Sequence, residues 1–328
     1  MSETQQQTTR GDARWERPAA VVGAGLTGAS WAGLFASAGL EVRVYDVDAA
    51  RVDAALERAS EVAFLLARNG LAERAPASRG RAALRGAATL AEAVAGVGHV
   101  QECVREDLAL KREVFAALDE AAPPDALLCT SSSGLSIGAV QTAARNPERC
   151  LAAHPYNPPH LVPLVELAPG PLTSPEAMER ARAFYTAVGK EPVVLTRDIP
   201  GYLANRLSAA LWREAVDLVL RGVATVDDVD RAVAYGPGLR WAAMGPHLLY
   251  DLGGGREGIR GHVEHLAAVK EGMLRDLATW TEFPPETGEV LERGLAEEKA
   301  GRTYEDLTAE RDRLLIAYLG AQREVRGG

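Results

Sequence analysis

Apolar and polar positions change period along this chain, and the changes mark its elements. Ala19-Ala-Val-Val is a short apolar strand that enters the turn Gly23-Ala-Gly25-Leu-Thr-Gly28, and a helical run follows to Ala38, where Gly39 can end it. Leu40-Glu-Val-Arg-Val-Tyr-Asp46 then alternates and closes on an acid. From Ala49 to Arg68, the positions Val52, Leu56, Ala59, Ala63 and Leu66 follow a helical period, and Asn69-Gly70 stops it. The Arg-rich stretch from Arg74 to Arg85 reads as a solvated loop, with a phosphate-binding role as the alternative. Strand-like runs return at His99 to Val104 and Ala126 to Thr130, with an amphipathic helix from Asp107 to Glu120 between them. Cys150-Leu-Ala-Ala and Leu161 to Leu167 are two more, and the turn Asn157-Pro-Pro can fold them beside each other. A helix from Ser174 to Val188 and a strand from Glu191 to Leu195 follow. Beyond Asp198-Ile-Pro-Gly201 the pattern is helical only. It opens with Tyr202 to Leu220, which carries Leu207, Leu211, Ala215 and Leu218 on one face, and Thr225-Val-Asp-Asp228 caps the next helix.

Alternating strands and helices predict an α/β fold with a doubly wound parallel sheet, followed by an all-α domain. The boundaries read as a disordered tail over 1–18, a dinucleotide-binding domain over 19–198 and a helical domain over 199–328. At 328 residues, two domains are expected. A net charge of −9 argues against a nucleic-acid surface. No apolar run approaches a membrane span, so no membrane partner is expected. The first residues lack the features of a signal or transit peptide. Cys103, Cys129 and Cys150 have no metal spacing and each sits in an apolar run, as reduced core residues of a cytoplasmic protein would; no metal is expected.

Strand, glycine turn, helix, strand and acid form the order of a dinucleotide-binding unit. Gly23 allows the tight turn, Gly25 lets the backbone approach a pyrophosphate, and Gly28 permits close helix-strand packing. The helix start offers free N–H groups to phosphates. Asp46 can accept bonds from both adenosine ribose hydroxyls, and its charge would repel a 2′-phosphate, which favours NAD over NADP. Ligands of such sheets lie beyond the carboxyl ends of the strands, which places Glu106 and Ser131-Ser-Ser133 near the nicotinamide. The serine run can equally cap a helix starting near Leu135.

The stretch His154 to Leu167 is the second focus. In a strand, Glu166 would share a face with Val162 and Leu164, and a carboxylate buried there needs a partner. His154 is the nearest candidate, giving an imidazole whose tautomer and basicity a carboxylate sets. Asn205, in the first turn of the long helix, either points into a cleft or lies on the surface.

Several blocks together resemble the 3-hydroxyacyl-CoA dehydrogenase superfamily, most closely its lambda-crystallin or L-gulonate 3-dehydrogenase branch. They are Val100-Gln-Glu-Cys-Val104 with Glu106 and Lys111, Ser131-Ser-Ser-Gly, His154-Pro-Tyr-Asn-Pro-Pro-His-Leu-Val-Pro-Leu-Val-Glu-Leu, Gly201-Tyr-Leu-Ala-Asn205-Arg-Leu, and Gly238-Leu-Arg240-Trp with Met244-Gly-Pro. The resemblance implies His154 as acid/base at a 3-hydroxyl, Glu166 as the carboxylate that orients it, and Ser133 and Asn205 as groups holding the reacting oxygen. It implies NAD contacts at Gly23, Gly25, Leu26, Thr27, Gly28, Asp46, Glu106 and Lys111, and a homodimer built on the helical domain. Arg240 matches an arginine able to pair with a substrate carboxylate, or with a neighbouring acid. The implied activity is an NAD-dependent interconversion of a 3-hydroxy and a 3-keto acid, L-gulonate 3-dehydrogenase-like. His160 and the stretch His247 to Gly255 depart from that branch. Alternatives are a ketoreductase on an aromatic polyketide intermediate, in whose pocket His160, Trp241 and His247 could lie, a 3-hydroxybutyryl-CoA or carnitine dehydrogenase, and a non-catalytic NADH-binding protein.

Overall fold

A computed structural model describes residues 17–326, and the chain divides into two compact units between Ala204 and Asn205. Most of the expected tail over 1–18 lies outside the described residues. Its last part does not read as a free end, since Arg17 pairs with Asp125 at 2.6 Å and Gly98 N–H donates to Pro18 O at 3.0 Å.

The first unit contains β1 (Ala19–Val22), α1 (Leu26–Ser37), β2 (Val42–Tyr45), α2 (Ala49–Arg68), α3 (Arg74–Ala82), β3 (Leu84–Gly86), α4 (Leu90–Val94), β4 (His99–Glu102), α5 (Leu108–Ala121), β5 (Leu127–Thr130), α6 (Ile137–Gln141), β6 (Cys150–Pro155), β7 (Leu164–Pro169), α7 (Pro175–Ala187) and β8 (Glu191–Val194). One eight-stranded sheet has the order β3-β2-β1-β4-β5-β6-β7-β8. Strands β1, β4, β5 and β6 are buried throughout, as strands covered on both faces must be. Side chains cap the helices: Asp107 Oδ1 accepts from Leu110 N–H and Ser174 Oγ from Ala177 N–H.

Two expectations change. The sheet is mixed, because β7 runs antiparallel to β6. A turn from 156 to 163 joins them, too short for the crossover a parallel pair requires. The Arg-rich loop is helix α3. Its small residues Ala77 and Gly80 are buried, and a Cβ on Gly80 would lie 1.9 Å from Ala36 O on α1, so the arginines face outward while the glycine lets two backbones touch.

The second unit is helical: α8 (Ala204–Leu220), α9 (Val226–Tyr235), α10 (Pro237–Ala243), α11 (Pro246–Gly253), α12 (Gly258–Asp276), α13 (Thr287–Lys299) and α14 (Tyr304–Arg326). Thr225 caps α9 through Asp228 N–H at 3.1 Å. Among α10, α11 and α14 no residue is buried, and Ile259, Val263, Leu266 and Met273 stand exposed on α12. The architecture is therefore a Rossmann-type α/β unit followed by an all-α unit. No helix among the described residues is long and apolar enough to cross a membrane.

Candidate active site

The glycine turn behaves as its spacing suggests. Gly23 has φ +103°, where an L side chain is strained, and a Cβ there would also strike the Cys103 backbone at 2.6 Å. A Cβ on Gly28 would fall 1.9 Å from Gly23 O, so the helix can pack this close only with glycine. Gly25 faces open space and precedes α1 without a side-chain cap, and Leu26 beside it is exposed. The first N–H groups of α1 are thus left for an outside acceptor, which fits the pyrophosphate of a dinucleotide. Thr27 is half-buried in the same turn, and Asp46 lies just past β2. Its Oδ2 accepts from Ala24 N–H at 2.8 Å and its Oδ1 from Asp48 N–H at 3.1 Å, so the acid also holds the turn together.

Past β4 and β5, three adjacent serines have three different surroundings. Ser131 Oγ receives Gln101 Nε2 at 2.7 Å and Trp31 Nε1 at 3.2 Å from inside the unit. Ser132 Oγ donates to Glu106 Oε1 at 2.5 Å and accepts from Leu135 N–H at 3.0 Å. Ser133 Oγ lies 2.9 Å from His154 Nε2. The run does not cap a helix near Leu135; α6 begins later, at Ile137. Glu106 Oε1 also collects Gly134 N–H at 2.7 Å and Leu135 N–H at 3.1 Å. Burial pushes the Glu106 carboxyl up, but these bonds and the nearby Lys111 outweigh it and hold it below its ordinary value. Lys111 is enclosed: its ammonium reaches Glu102 Oε1 at 2.8 Å, Oε2 at 3.0 Å and Val104 O at 3.2 Å, with Glu106 Oε2 at 3.6 Å.

His154 and Glu166 are direct partners across the β6-β7 pair, and both are buried. His154 Nδ1 lies 2.9 Å from Glu166 Oε2. Leu164 shares the Glu166 face of β7, while Val162 lies in the turn before it, since the strand starts later than its apolar run. Glu166 Oε1 accepts from Leu203 N–H at 2.8 Å and Ala204 N–H at 2.9 Å. Those donors are aimed by Gly201 at φ +76° and Tyr202 at φ +48°, a left-handed conformation costing a non-glycine residue roughly 1–3 kcal/mol. Tyr202 also lays its ring 5.0 Å from the imidazole. Burial raises the Glu166 carboxyl, but the bonds from His154, Ala204 and Leu203 outweigh it and keep it low. An ionised carboxylate can only accept, so Nδ1 carries the imidazole proton and Nε2 is left as the acceptor facing Ser133. This is the geometry of a base aimed at a hydroxyl.

The two N–H groups on Glu166 and the support under Ser131 were not foreseen. Gly201 just before a helix was a signal for the first, being a residue suited to a left-handed turn; Gln101 and Trp31 gave none. Asn205 is the second residue of α8, half-buried, and Arg240 is exposed on α10.

Comparison with known proteins gives these features a family. The NAD-binding domain of 3-hydroxyacyl-CoA dehydrogenase matches residues 18–199, and the C-terminal domain of the same enzymes matches 201–301. The chain belongs to the 3-hydroxyacyl-CoA dehydrogenase family. It is 40% identical over 306 residues to an L-carnitine dehydrogenase of Streptomyces coelicolor, covering 93% of this chain and 94% of that one. It is 39% identical over 313 residues to an L-carnitine dehydrogenase of Pseudomonas aeruginosa, covering 94% of each. Among solved structures it is similar to 5-formyl-3-hydroxy-2-methylpyridine 4-carboxylic acid 5-dehydrogenase, an NAD-dependent dismutase, with a TM-score of 0.80, 30% identity, and coverage of 95% of this chain and 99% of that one. As a 3-hydroxyacyl-CoA dehydrogenase family member, the protein is a dehydrogenase acting on a CH–OH donor, with a small hydroxy or keto substrate, and its Rossmann-type unit binds NAD(H).

Proposed function

We propose that the protein oxidises L-carnitine, or a close 3-hydroxy acid bearing a quaternary ammonium, to the 3-keto acid with NAD. The observation that carries this reading is similarity of 36–40% to eight L-carnitine dehydrogenases over at least nine-tenths of this chain. It favours carnitine over the L-gulonate expected from the sequence.

In this reading Gly25, Leu26 and Thr27 receive the pyrophosphate on a turn shaped by Gly23 and Gly28, Asp46 receives the ribose, and Glu106, steadied by Lys111, lies beside the nicotinamide. The bound nicotinamide supplies the hydride acceptor. His154 Nε2, with Ser133 beside it, removes the hydroxyl proton, and Glu166 stabilises the imidazolium that results. Asn205 holds the reacting oxygen. Arg240 takes the substrate carboxylate, for which a guanidinium offers two parallel donors. The protein works as a homodimer, supported by the apolar residues left exposed on the helices of the second unit.

The test is NAD+ reduction with L-carnitine, D-carnitine, L-gulonate, 3-hydroxybutyryl-CoA and a hydroxymethyl pyridine carboxylate, with NADP+ in parallel. L-carnitine with NAD+ should lead in kcat/KM by about a hundredfold, about 2.7 kcal/mol, within the roughly 1–3 kcal/mol that one mispaired buried polar group costs. Preference for the CoA ester or for gulonate overturns the reading. The pyridine carboxylate tests a second reading, an aromatic acid substrate, favoured by the TM-score of 0.80 to the pyridine-acid dehydrogenase.

A further inference from the structure

Lys190 stands between α7 and β8, directly after Gly189 at φ +84°, and only 3% of it is exposed. Its ammonium donates to Pro159 O at 2.8 Å and Val162 O at 2.6 Å and lies 5.1 Å from the Trp31 ring centroid. Among the described residues no carboxylate pairs with it, and burial brings its pKa down to about 7. A buried cation answered only by carbonyls and an aromatic face is a costly way to fill space. An apolar side chain of that length would fill it without the cost, so a geometric task is the better account.

The two carbonyls show what the task is. They flank His160 in the turn from 156 to 163 that joins β6, which carries His154, to β7, which carries Glu166. Leu161 N–H and Val162 N–H both converge on Pro158 O at 3.0 Å, a local closure within the turn. His160 Nδ1 meets Ser30 Oγ at 3.3 Å on α1, two residues past Gly28 of the cofactor turn. Lys190 thus grips the turn on both sides of the residue that touches α1.

We propose that Lys190 is a positioning residue for the reaction. Its amino group, which has N–H donors whether or not it is protonated, fixes the shape of the turn from Pro159 to Val162, which keeps His160 on α1 and gives the substrate a fixed wall between the base strand and the cofactor helix. This rests on the reading of His154 as the base, and not on which hydroxy acid is the substrate.

The experiment uses the full chain with Lys190→Met, of similar length and uncharged, and Lys190→Gln, which keeps a donor. Three readouts are taken: deuterium exchange of the peptide spanning the turn, NADH affinity by fluorescence, and kcat and KM with L-carnitine. In the Met variant, loss of two bonds should speed exchange at Leu161 and Val162 by about tenfold and lower kcat/KM by about tenfold, chiefly through KM. NADH affinity should stay within about twofold, and the Gln variant should recover part of the loss. A folded Met variant with unchanged exchange and unchanged kcat/KM overturns the proposal. So does a fall in NADH affinity in step with kcat/KM, which would make Lys190 a general support of the unit. If the Lys190→Met chain does not fold, Lys190→Gln is put through the same three readouts, and the same outcomes uphold or overturn the proposal. If the wild-type protein ignores L-carnitine, the substrate reading fails on its own, and the two variants are compared with the panel member that is turned over.

Discussion

In the unit ending at Ala204, Trp31, Phe35, Phe115 and Leu151 are enclosed, and so are the charged Lys111, Lys190, Glu102 and Glu166. In the unit beginning at Asn205, Leu248, Leu252, Val263, Met273 and Leu274 are exposed, and α10, α11 and α14 bury nothing. One unit covers even its ions, while the other leaves apolar side chains in water. An amphipathic helix keeps its place by covering its apolar face, so the second unit has the look of half an interface, and the first that of a finished chemical device. The proposed roles divide accordingly: proton transfer belongs to the first unit, and association, with the substrate contacts proposed for Asn205 and Arg240, to the second.

The largest effect should come from breaking the device. His154→Ala should lower turnover by about a hundred to ten thousandfold, the usual worth of a placed general base, while NADH binding, measured by fluorescence titration, stays unchanged. Equal loss of both would mean that the histidine serves the fold. Next, charging the exposed face of α12 with Val263→Asp and Met273→Asp should raise the dimer dissociation constant at least about a hundredfold, given roughly 1.5–3 kcal/mol for each apolar side chain buried. Sedimentation equilibrium reads this directly, and an unchanged dimer would remove α12 from the interface. The smallest effect concerns the ions inside the first unit. Lys190 titrates near 7 when folded and at 10.5 when unfolded, so between these values the unfolded chain holds one more proton. Stability from this group therefore rises with pH across that window and falls as pH drops towards 7, by about 1.4 kcal/mol per pH unit. Urea melts at pH 7.5 and 8.5 (about one pH unit apart) should show a smaller pH slope for Lys190→Met than for wild type; identical slopes would refute a buried, shifted lysine.

What was legible in the sequence had local causes. The glycine turn, the Thr225 cap and the His154-Glu166 pair lie close in sequence to the residues they act on, and Asp46 lies just past the strand that follows the turn's own helix. Reading α3 as a loop went wrong because its arginines dominate the composition, while the small residues Ala77 and Gly80 that bury it against α1 are few. The short Asn157-Pro-Pro turn already set β6 and β7 side by side, and only the general expectation of a parallel sheet missed that so short a link reverses β7. Residues such as Gln101, which holds Ser131 across 30 positions, and Lys190, which holds Pro159 across 31, leave no periodic trace, because a single long-range bond has no pattern of its own. The two N–H groups on Glu166 lie 37 and 38 positions away and depend on a left-handed tyrosine that no propensity favours.

The bond from Ala24 N–H to Asp46 carries a consequence for how cofactor choice can change over generations. The carboxylate proposed to turn away a 2′-phosphate is also a brace of the loop proposed to accept the pyrophosphate. A lineage drifting towards NADP cannot discard the acid alone, because its first step would slacken the grip on either dinucleotide. The path is open only to chains that already carry, or gain together, another acceptor for Ala24. On the proposed role of Asp46, a preference for NAD would be inherited from the architecture of the loop, and would outlast any relaxation of demand for it.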